Sequence, residues 1–511
     1  MKISGPLVSS VDRESELYKS LQRAHVRISQ KDPNTWGSKA SAEAAIRLNW
    51  VDLPHSSVSL LPEISKLVNL FETKKRIVLC GMGGSSLGPE VIVRSYKKDL
   101  FIFDSTDPEY SKHAIGSNLK YTVVVVSSKS GSTIETSSQR ALFESHFLNE
   151  GLDPLEHMLF VTDPGSPLDD EVRRKNFHVI NADPSVGGRF SVLGAFGLVP
   201  SALAGVDIEL ILKNAQEQLS LMLKDPTDVL DVAYIFLTQC DQYIAFTDAG
   251  SAVPGLSDWI EQLIAESTGK ESVGRLPIAT ENLANADVGG SLTVAFAGTG
   301  ADVVVEGTLG GHFIYWEWLT ALLGFALKID PFNQPNVTEA KEQTALCLRE
   351  WSNQIPDFSP QCVDAGVEIY GDGQSLKDSL ATFIEDVKDG GYIAIMAYLD
   401  RQEDVRVAEL RSILSEKSGR PTSFGWVPRF LHSTGQFHKG GQKNGSFLQI
   451  TGDTDLDYEI SGQDFSLKTL LFAQAIGDNR ALATRKYPLL RLHLQNRRAG
   501  IDQLLKAARN L

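Results

Sequence analysis

The chain has 511 residues, is 42% hydrophobic and 22% charged, and carries a formal net charge of −15 with a pI near 5.2. These values are typical of a globular protein with room for two or three domains. The acidic balance argues against a general binder of nucleic acids or anionic membranes, and no apolar stretch reaches the about 18 residues that a membrane span needs. We therefore expect neither a nucleic acid nor a membrane as a partner.

The cysteine pattern and the start of the chain favour the cytoplasm. The four cysteines are scattered, without a CxxC pair or the spacing of a secreted disulfide scaffold. The first residues lack the apolar core of a signal peptide. A reducing cytoplasm is the expected location.

The first part of the chain reads as amphipathic helices followed by alternating strands and helices. Leu17, Leu21 and Ala24 lie at helical spacing within residues 1–70. The stretch 121–127 carries four consecutive valines, which is typical of a strand buried on both faces. The repeated order of strand, glycine- or serine-rich loop and helix predicts a doubly wound parallel α/β sheet.

The same pattern returns near Asp228, and the last 150 or so residues contain further β-α-β material. No low-complexity linker separates the halves, so we expect them to pack together. The sequence predicts four parts: a helical N-terminal arm, two α/β domains and an α/β C-terminal extension, at 1–70, 71–225, 226–345 and 346–511.

A glycine-rich loop follows the first predicted strand, at residues 81–89 with the sequence GMGGSSLGP. Glycines after a buried strand let backbone N–H groups such as those of Gly84 and Ser85 point at an anion, and the next helix N-terminus adds partial positive charge. A tight strand-to-helix turn that needs glycine for its geometry explains the loop equally well. This loop alone is a weak signal.

A second loop, SKSGST at residues 128–133, is more informative. Its hydroxyl residues include Ser128, Ser130 and Thr133, and Lys129 supplies one cation, so the loop offers O–H and N–H donors to a phosphate. An ordinary helix cap explains one or two hydroxyls but not four with a lysine. Because neither a P-loop motif nor a dinucleotide fingerprint is present, a compact sugar phosphate fits better than a nucleotide.

The order of several motifs resembles that of the phosphoglucose isomerase family and its sugar isomerase (SIS) fold. They are GMGGSSLGP (81–89), SSKSGSTIET (127–136), GGRFS (187–191), QLIAESTGK (262–270), GTLGGH (307–312) and FIYWEW…DPFNQP (313–335). The resemblance implies two doubly wound parallel-sheet subdomains packed together, with a helical arm and an α/β extension. It also implies reversible isomerisation of glucose 6-phosphate and fructose 6-phosphate through a cis-enediol(ate), with no metal or redox cofactor.

Glu266 is the candidate catalytic base. On the predicted helix 255–267 it lies four residues after Gln262, beside the apolar stripe. A solvated carboxylate at a helix end is the alternative, and the resemblance favours the base because these two residues match the family's Gln–Glu pair. Arg189, in GGRFS, is expected to stabilise the enediolate, since an arginine does not compete for the proton. Its alternative is a surface arginine after a glycine turn.

The group that opens the sugar ring has several candidates. An imidazole can protonate the ring oxygen near neutral pH, and His312 matches the family's histidine, which a neighbouring subunit usually contributes. That match implies a homodimer with a shared active site. The late segment 431–441 departs from the usual family pattern and resembles the isomerase half of bacterial transaldolase–phosphoglucose isomerase fusions. There Gln436 and Lys439 take the places of the late Gln and Lys, and His438 is an alternative to His312.

Two further interpretations remain open. One is another phosphosugar enzyme of the same fold, or an isomerase that also accepts mannose 6-phosphate. A second is a non-catalytic sugar-phosphate sensor, which would have no need for Glu266, Arg189 and His312 together. A metal site is not expected, because His432 and His438 lie six residues apart without a cluster of cysteines or carboxylates to complete a ligand set.

Overall fold

The computed structural model describes residues 1–286 and 290–511. These residues form two compact units. The first unit comprises Met1–Asp104, 117–286 and Ser291–Gln334, and the second comprises Ser105–Gly116 and Pro335–Leu511.

The strands and helices alternate along most of the chain. The strands are β1 Lys2–Ser4, β2 Arg76–Gly81, β3 Phe101–Phe103, β4 Thr122–Ser127, β5 Met158–Thr162, β6 His178–Asn181, β7 Tyr243–Thr247, β8 Leu276–Ala279, β9 Leu292–Ala295, β10 Val303–Glu306, β11 Cys362–Asp364, β12 Val367–Tyr370, β13 Tyr392–Tyr398, β14 Thr422–Trp426, β15 Gly445–Gly452 and β16 Leu489–Leu494. The helices are α1 Glu16–Ser29, α2 Ser41–Arg47, α3 Leu53–Ser56, α4 Leu61–Leu70, α5 Gly84–Ser95, α6 Pro108–Ile115, α7 Ile134–Asn149, α8 Pro167–Arg174, α9 Ala195–Leu203, α10 Ile208–Lys224, α11 Thr227–Thr238, α12 Leu256–Thr268, α13 Leu309–Ala326, α14 Thr338–Trp351, α15 Leu376–Glu385, α16 Leu410–Ser418, α17 Gly435–Gly440, α18 Leu467–Ala483 and α19 Arg497–Arg509.

The first unit contains two five-stranded sheets. One has the order β3-β2-β4-β5-β6 and is parallel throughout. Strand β3 lies on one side of β2, and β4, β5 and β6 follow on the other side, so the strand order reverses between β2 and β4. Ligands of open α/β sheets bind outside the carboxyl ends of the strands at such a reversal. The two glycine- and serine-rich loops leave those same ends.

The second sheet of this unit has the order β1-β10-β9-β7-β8. The strands β10, β9, β7 and β8 are parallel, and β1 pairs antiparallel with β10 in the register Lys2↔Glu306. Strand β1 was not expected, because residues 1–70 predicted only helices. Its three residues have no periodic pattern to detect, and the strand exists because the edge of β10 offers it hydrogen-bond partners.

The core of the first unit joins both sheets to the N-terminal helices. Helix α13 is buried on all sides, from Leu309 to Gly324, which explains why its apolar residues show no single face. Trp50, Trp316 and Trp318 are fully buried in this core. One continuous apolar core therefore fixes α12 and α13, the helices that carry the candidate residues Glu266 and His312.

The second unit is built on a six-stranded sheet of order β11-β12-β16-β15-β13-β14. Strands β14, β13, β15 and β16 are parallel, and β12 and β11 extend the sheet in antiparallel pairing. Strand β13 is buried at all seven positions. The predicted α/β class with several parallel sheets is confirmed. Across the described residues, no helix is long and apolar enough to cross a bilayer.

Candidate active site

Helix α12 brings Glu266 to the edge of the first unit's core. Its neighbours Ala265 and Ser267 are fully buried, whereas the Glu266 side chain keeps 14% of its surface exposed. Gln262, one turn earlier, donates from Nε2 to Glu266 Oε2 at 3.1 Å. The i, i+4 spacing that the sequence showed thus places the amide and the carboxylate in contact. The carboxylate is oriented yet accessible.

Arg189 lies against Glu266 and is itself buried, with 5% of its surface exposed. Its Nη1 is 3.1 Å from Glu266 Oε1. With Gln262 on Oε2, each oxygen of the carboxylate therefore has a hydrogen-bonding partner. A guanidinium has five N–H donors. Besides Glu266 they meet Ser267 Oγ at 2.7 Å, Gln334 Oε1 at 3.1 Å, and the carbonyls of Pro331 and Asn333 at 2.5 and 3.1 Å.

Two opposing effects act on the pKa of Arg189. Burial lowers the pKa of Arg189, while the carboxylates of Glu266 and Asp330 raise it. An arginine keeps its proton in proteins even so. The result is a fixed positive charge in direct contact with the candidate base.

The segment 186–189 connects Arg189 to both predicted phosphate loops. A Cβ on Gly84 would lie 2.1 Å from the carbonyl oxygen of Gly188, so only glycine permits the first loop to approach this closely. From the second loop, Lys129 Nζ donates to the carbonyl of Val186 at 2.9 Å. The structure therefore brings the two loops, Arg189 and Glu266 into one connected cluster of the first unit.

The loop 128–133 keeps polar groups accessible. Ser130 is exposed, and its hydroxyl lies 2.6 Å from that of Ser132. Ser128 Oγ accepts from the N–H of Gly131 at 3.1 Å, which shapes the turn. Thr133 is the N-cap residue of α7 but makes no capping hydrogen bond with its side chain. Hydroxyls at the start of a helix can donate hydrogen bonds to an anion. Ser85 of the first loop is 9% exposed.

Asp163 is a charged neighbour of this loop that the sequence patterns did not single out. Its Oδ2 lies 2.7 Å from Lys129 Nζ. Burial raises the pKa of Asp163, and Lys129 opposes that effect. Its place in the sequence could have indicated it, because Asp163 comes directly after β5. The carboxyl ends of parallel strands meet at one edge of the sheet, which is also where the loop 128–133 begins. Lys129 is thus held by a carboxylate.

His312 has a different set of contacts in the first unit. It is 1% exposed, stacks edge-on against Phe296 and accepts from Trp316 Nε1 through Nδ1 at 3.3 Å. Its Nε2 is buried without a hydrogen-bond partner among the described residues. Burial, with a contribution from the N-terminal ammonium, lowers the pKa of His312 to about 3. The imidazole is therefore neutral at pH 7.

The remaining three candidates, Gln436, His438 and Lys439, lie on α17 in the second unit. Gln436 forms two hydrogen bonds with Asn336, accepting from its backbone N–H at 2.9 Å and donating to its side chain at 2.8 Å. Lys439 Nζ lies 2.6 Å from Asp478 Oδ1, and the two side chains are 2% and 0% exposed. This is a sealed ion pair, and the sequence did not indicate Asp478 as its partner.

His438 sits inside an aromatic box of the same unit. Its ring stacks on Phe430 at a centroid distance of 4.7 Å, and its Nδ1 lies 2.6 Å from the hydroxyl of Tyr392. Burial and the neighbouring Lys439 lower the pKa of His438 well below its usual range. Like His312, it is a buried and neutral imidazole.

The chain is similar to known glucose-6-phosphate isomerases over part of its length. No family model matches the chain. Over 247 residues, 45% of its length, the chain is 32% identical to a glucose-6-phosphate isomerase of Campylobacter jejuni and covers 60% of that protein. Over 210 residues, 38% of its length, it is 35% identical to a glucose-6-phosphate isomerase of Citrifermentans bemidjiense and covers 40% of that protein. The chain thus spans about half the length of these curated relatives.

A solved structure supports the fold. The crystal structure of a glucose-6-phosphate isomerase from Chlamydia trachomatis superposes with a TM-score of 0.52 at 19% sequence identity, covering 68% of this chain and 86% of that one. The fold over about two thirds of the chain is therefore shared with that structure. Over the part that the curated relatives match, the chain is a homologue of glucose-6-phosphate isomerases.

Proposed function

We propose that the protein interconverts glucose 6-phosphate and fructose 6-phosphate. The observation that carries the proposal is the connected cluster of the first unit, in which Arg189 contacts Glu266 while its own segment contacts both phosphate loops. A proton acceptor, a fixed cation and a set of anion donors are the three elements that an aldose–ketose isomerase of a phosphosugar needs.

The phosphate end of the substrate is assigned to the loop 128–133. Its accessible hydroxyls and the N-terminus of α7 donate hydrogen bonds to the phosphate oxygens. Lys129 then exchanges part of its contact with Asp163 for the phosphate dianion. This assignment anchors the sugar by its unreactive end, which lets the open chain extend toward Arg189 and Glu266.

The proton transfer is assigned to Glu266. In the open-chain aldose, its carboxylate removes the proton from C2, and the electron pair forms the enediolate across C1 and C2. The hydroxyl proton on O2 passes to O1, and the same carboxyl group returns its proton to C1, which leaves the carbonyl at C2. The Arg189 guanidinium stabilises the negative charge on the enediolate oxygens without giving up a proton. Gln262 holds Glu266 in orientation by its hydrogen bond.

Ring opening is assigned to an imidazole, with His312 and His438 as the predicted candidates. Lys439 is a further predicted catalytic residue. Both imidazoles are buried and neutral at pH 7, so each would act as a neutral hydrogen-bonding group and not as an imidazolium. Comparing His312→Ala, His438→Ala and Lys439→Met on ring-closed and open-chain substrate separates them. The ring opener is the residue whose loss affects open-chain substrate far less.

We also propose a homodimer in the cytoplasm that needs no cofactor, as the family resemblance implies. Among the described residues, no group of three or more histidine, cysteine or acidic side chains is arranged to hold a metal ion. Light scattering on the full chain tests the dimer. A monomeric and fully active protein would contradict it.

The deciding experiment is an assay of the pure protein with fructose 6-phosphate in the presence of EDTA, with glucose 6-phosphate measured as product. We expect turnover. Absence of product in both directions would overturn the isomerase and leave a sugar-phosphate sensor, which binds fructose 6-phosphate without converting it. Turnover that disappears only with EDTA would overturn the metal-free reaction.

A further inference from the structure

Lys270 is a buried cation next to the proposed site that no step of the reaction has used. It follows α12 directly, four residues after Glu266, and only 3% of its surface is exposed. Its backbone is fixed by a bridge to Val273. Its Nζ donates to the carbonyl oxygen of Asp330 at 2.5 Å. Lysine is rarely buried to this degree without a role for its charge.

The hydrogen bond of Lys270 ends on the segment that orients Arg189. This segment, residues 330–334, gives the guanidinium two backbone carbonyls, at Pro331 and Asn333, and the side-chain oxygen of Gln334. Within it, Asp330 Oδ1 accepts from the N–H of Phe332 at 2.8 Å, which closes a tight turn. Two cations on different elements, Lys270 and Arg189, therefore hold one short segment by its carbonyl groups.

Several charged groups act on the pKa of Lys270. Burial and the Arg189 guanidinium lower the pKa of Lys270, and the carboxylates of Asp330, Glu266 and Glu271 raise it. Glu43 of α2 adds a more distant negative charge that acts on Arg189 and Asp330. These carboxylates compensate the burial of Lys270 beside a second cation.

We propose that Lys270 is a positioning residue of the isomerase site: it fixes the segment 330–334 that orients Arg189. The inference rests on the proposed function and deepens it. Lys270 does not touch the substrate in this scheme. It acts through Arg189, so its loss affects the rate of proton transfer more than substrate binding.

The test compares Lys270→Gln, which keeps a hydrogen-bond donor but loses the charge, with Lys270→Arg, which keeps both. For Lys270→Gln we expect kcat to fall about 10–100-fold with little change in KM, since the phosphate loops are untouched. Lys270→Arg keeps a cationic hydrogen-bond donor and should restore most of kcat.

Lys39→Met is the matched control. Lys39 is an exposed lysine of the same unit that pairs with Glu271 at 3.5 Å, so its loss changes nearby charge without entering the cluster. Thermal melting accompanies each variant. A Lys270→Gln enzyme with the kcat and KM of wild type would overturn the inference. If that variant does not fold, a Lys270→Arg enzyme whose KM rises while its kcat stays unchanged overturns it. An inactive wild type would instead overturn the proposed function itself.

Discussion

The two units hold their charged candidates in opposite ways. In the first unit, the Arg189 side chain is 3% exposed, but the side chain of Glu266 is 14% exposed, and Gln262 and Arg189 each contact one of its oxygens. In the second unit, the side chains of Lys439 and Asp478 are 2% and 0% exposed. An accessible carboxylate can exchange a partner for a ligand at little expense, whereas opening a pair whose two members are sealed leaves a charge in an apolar interior.

The same contrast in exposure holds for the uncharged polar side chains. The hydroxyls of the loop 128–133 include exposed side chains, while the imidazoles of His312 and His438 are 1% exposed each. Residues that the sequence treated as one set of candidates therefore differ in whether a substrate can reach them. Accessibility is the property that the following experiments measure.

The largest expected effect is the loss of the base. Glu266→Gln keeps the size and the hydrogen bonding of the side chain but removes the proton acceptor, so kcat should fall by about 10²–10⁴-fold while substrate binding stays nearly intact. A coupled assay and binding of a non-reacting sugar phosphate measure the two quantities. Asp258→Asn, an exposed carboxylate in the first turn of α12, is the control. A Glu266→Gln enzyme with most of its activity would show that the base is misassigned.

The sealed pair should respond as a structural unit. Asp478→Asn leaves the Lys439 ammonium buried without a carboxylate, so the free energy of unfolding should fall by about 3–5 kcal/mol. The double variant Lys439→Met with Asp478→Leu removes both charges and should lose much less. Denaturant unfolding measures both. An Asp478→Asn protein as stable as wild type contradicts the sealed pair, and a stable double variant that is inactive on ring-closed substrate assigns Lys439 to ring opening.

The accessible loop should affect binding more than chemistry. Lys129→Met removes a charge-assisted contact to the phosphate, so KM should rise about 10–100-fold with a smaller change in kcat. Lys175→Met is the control, because Lys175 also pairs with a carboxylate, Glu171, on the surface of the same unit. Initial rates over a range of fructose 6-phosphate concentrations give both constants. An unchanged KM would place the phosphate elsewhere.

The smallest effect concerns the buried imidazole of the first unit. Burial lowers the pKa of His312 from 6.5 to about 3. As the pH falls from about 6.5 toward 3, the unfolded chain takes up a proton that the folded chain does not, so stability falls with pH in that window. His312→Gln removes this titration and should reduce the slope by at most about 1.4 kcal/mol per pH unit between pH 6 and 4. Chemical denaturation at several pH values measures it, and an unchanged slope would mean that His312 is accessible to protons.

Much of the first unit's fold was readable from the sequence, for a local physical reason. A parallel strand that is buried on both faces is apolar along its length, so the four valines of β4 by themselves indicate a strand that is buried on both faces. The glycines and hydroxyls at the carboxyl ends of β2 and β4 are equally local, because the turn and the helix N-terminus need them where they stand. The pairing of β1 with β10 was not readable, since it joins residues about 300 positions apart.

The sequence by itself determined the α/β class, the order of the loops and the pair Gln262–Glu266, since each depends on neighbours within one strand, turn or helix. Only the tertiary structure decided which charges are accessible. The contacts that decide this join residues that are distant along the chain. They are the hydrogen bonds of Arg189 to its five acceptors, the hydrogen bond of Lys270 to Asp330 and the ion pair of Lys439 with Asp478. Their burial depends on how whole elements pack, and a side chain's desolvation has no signature in its own sequence neighbourhood.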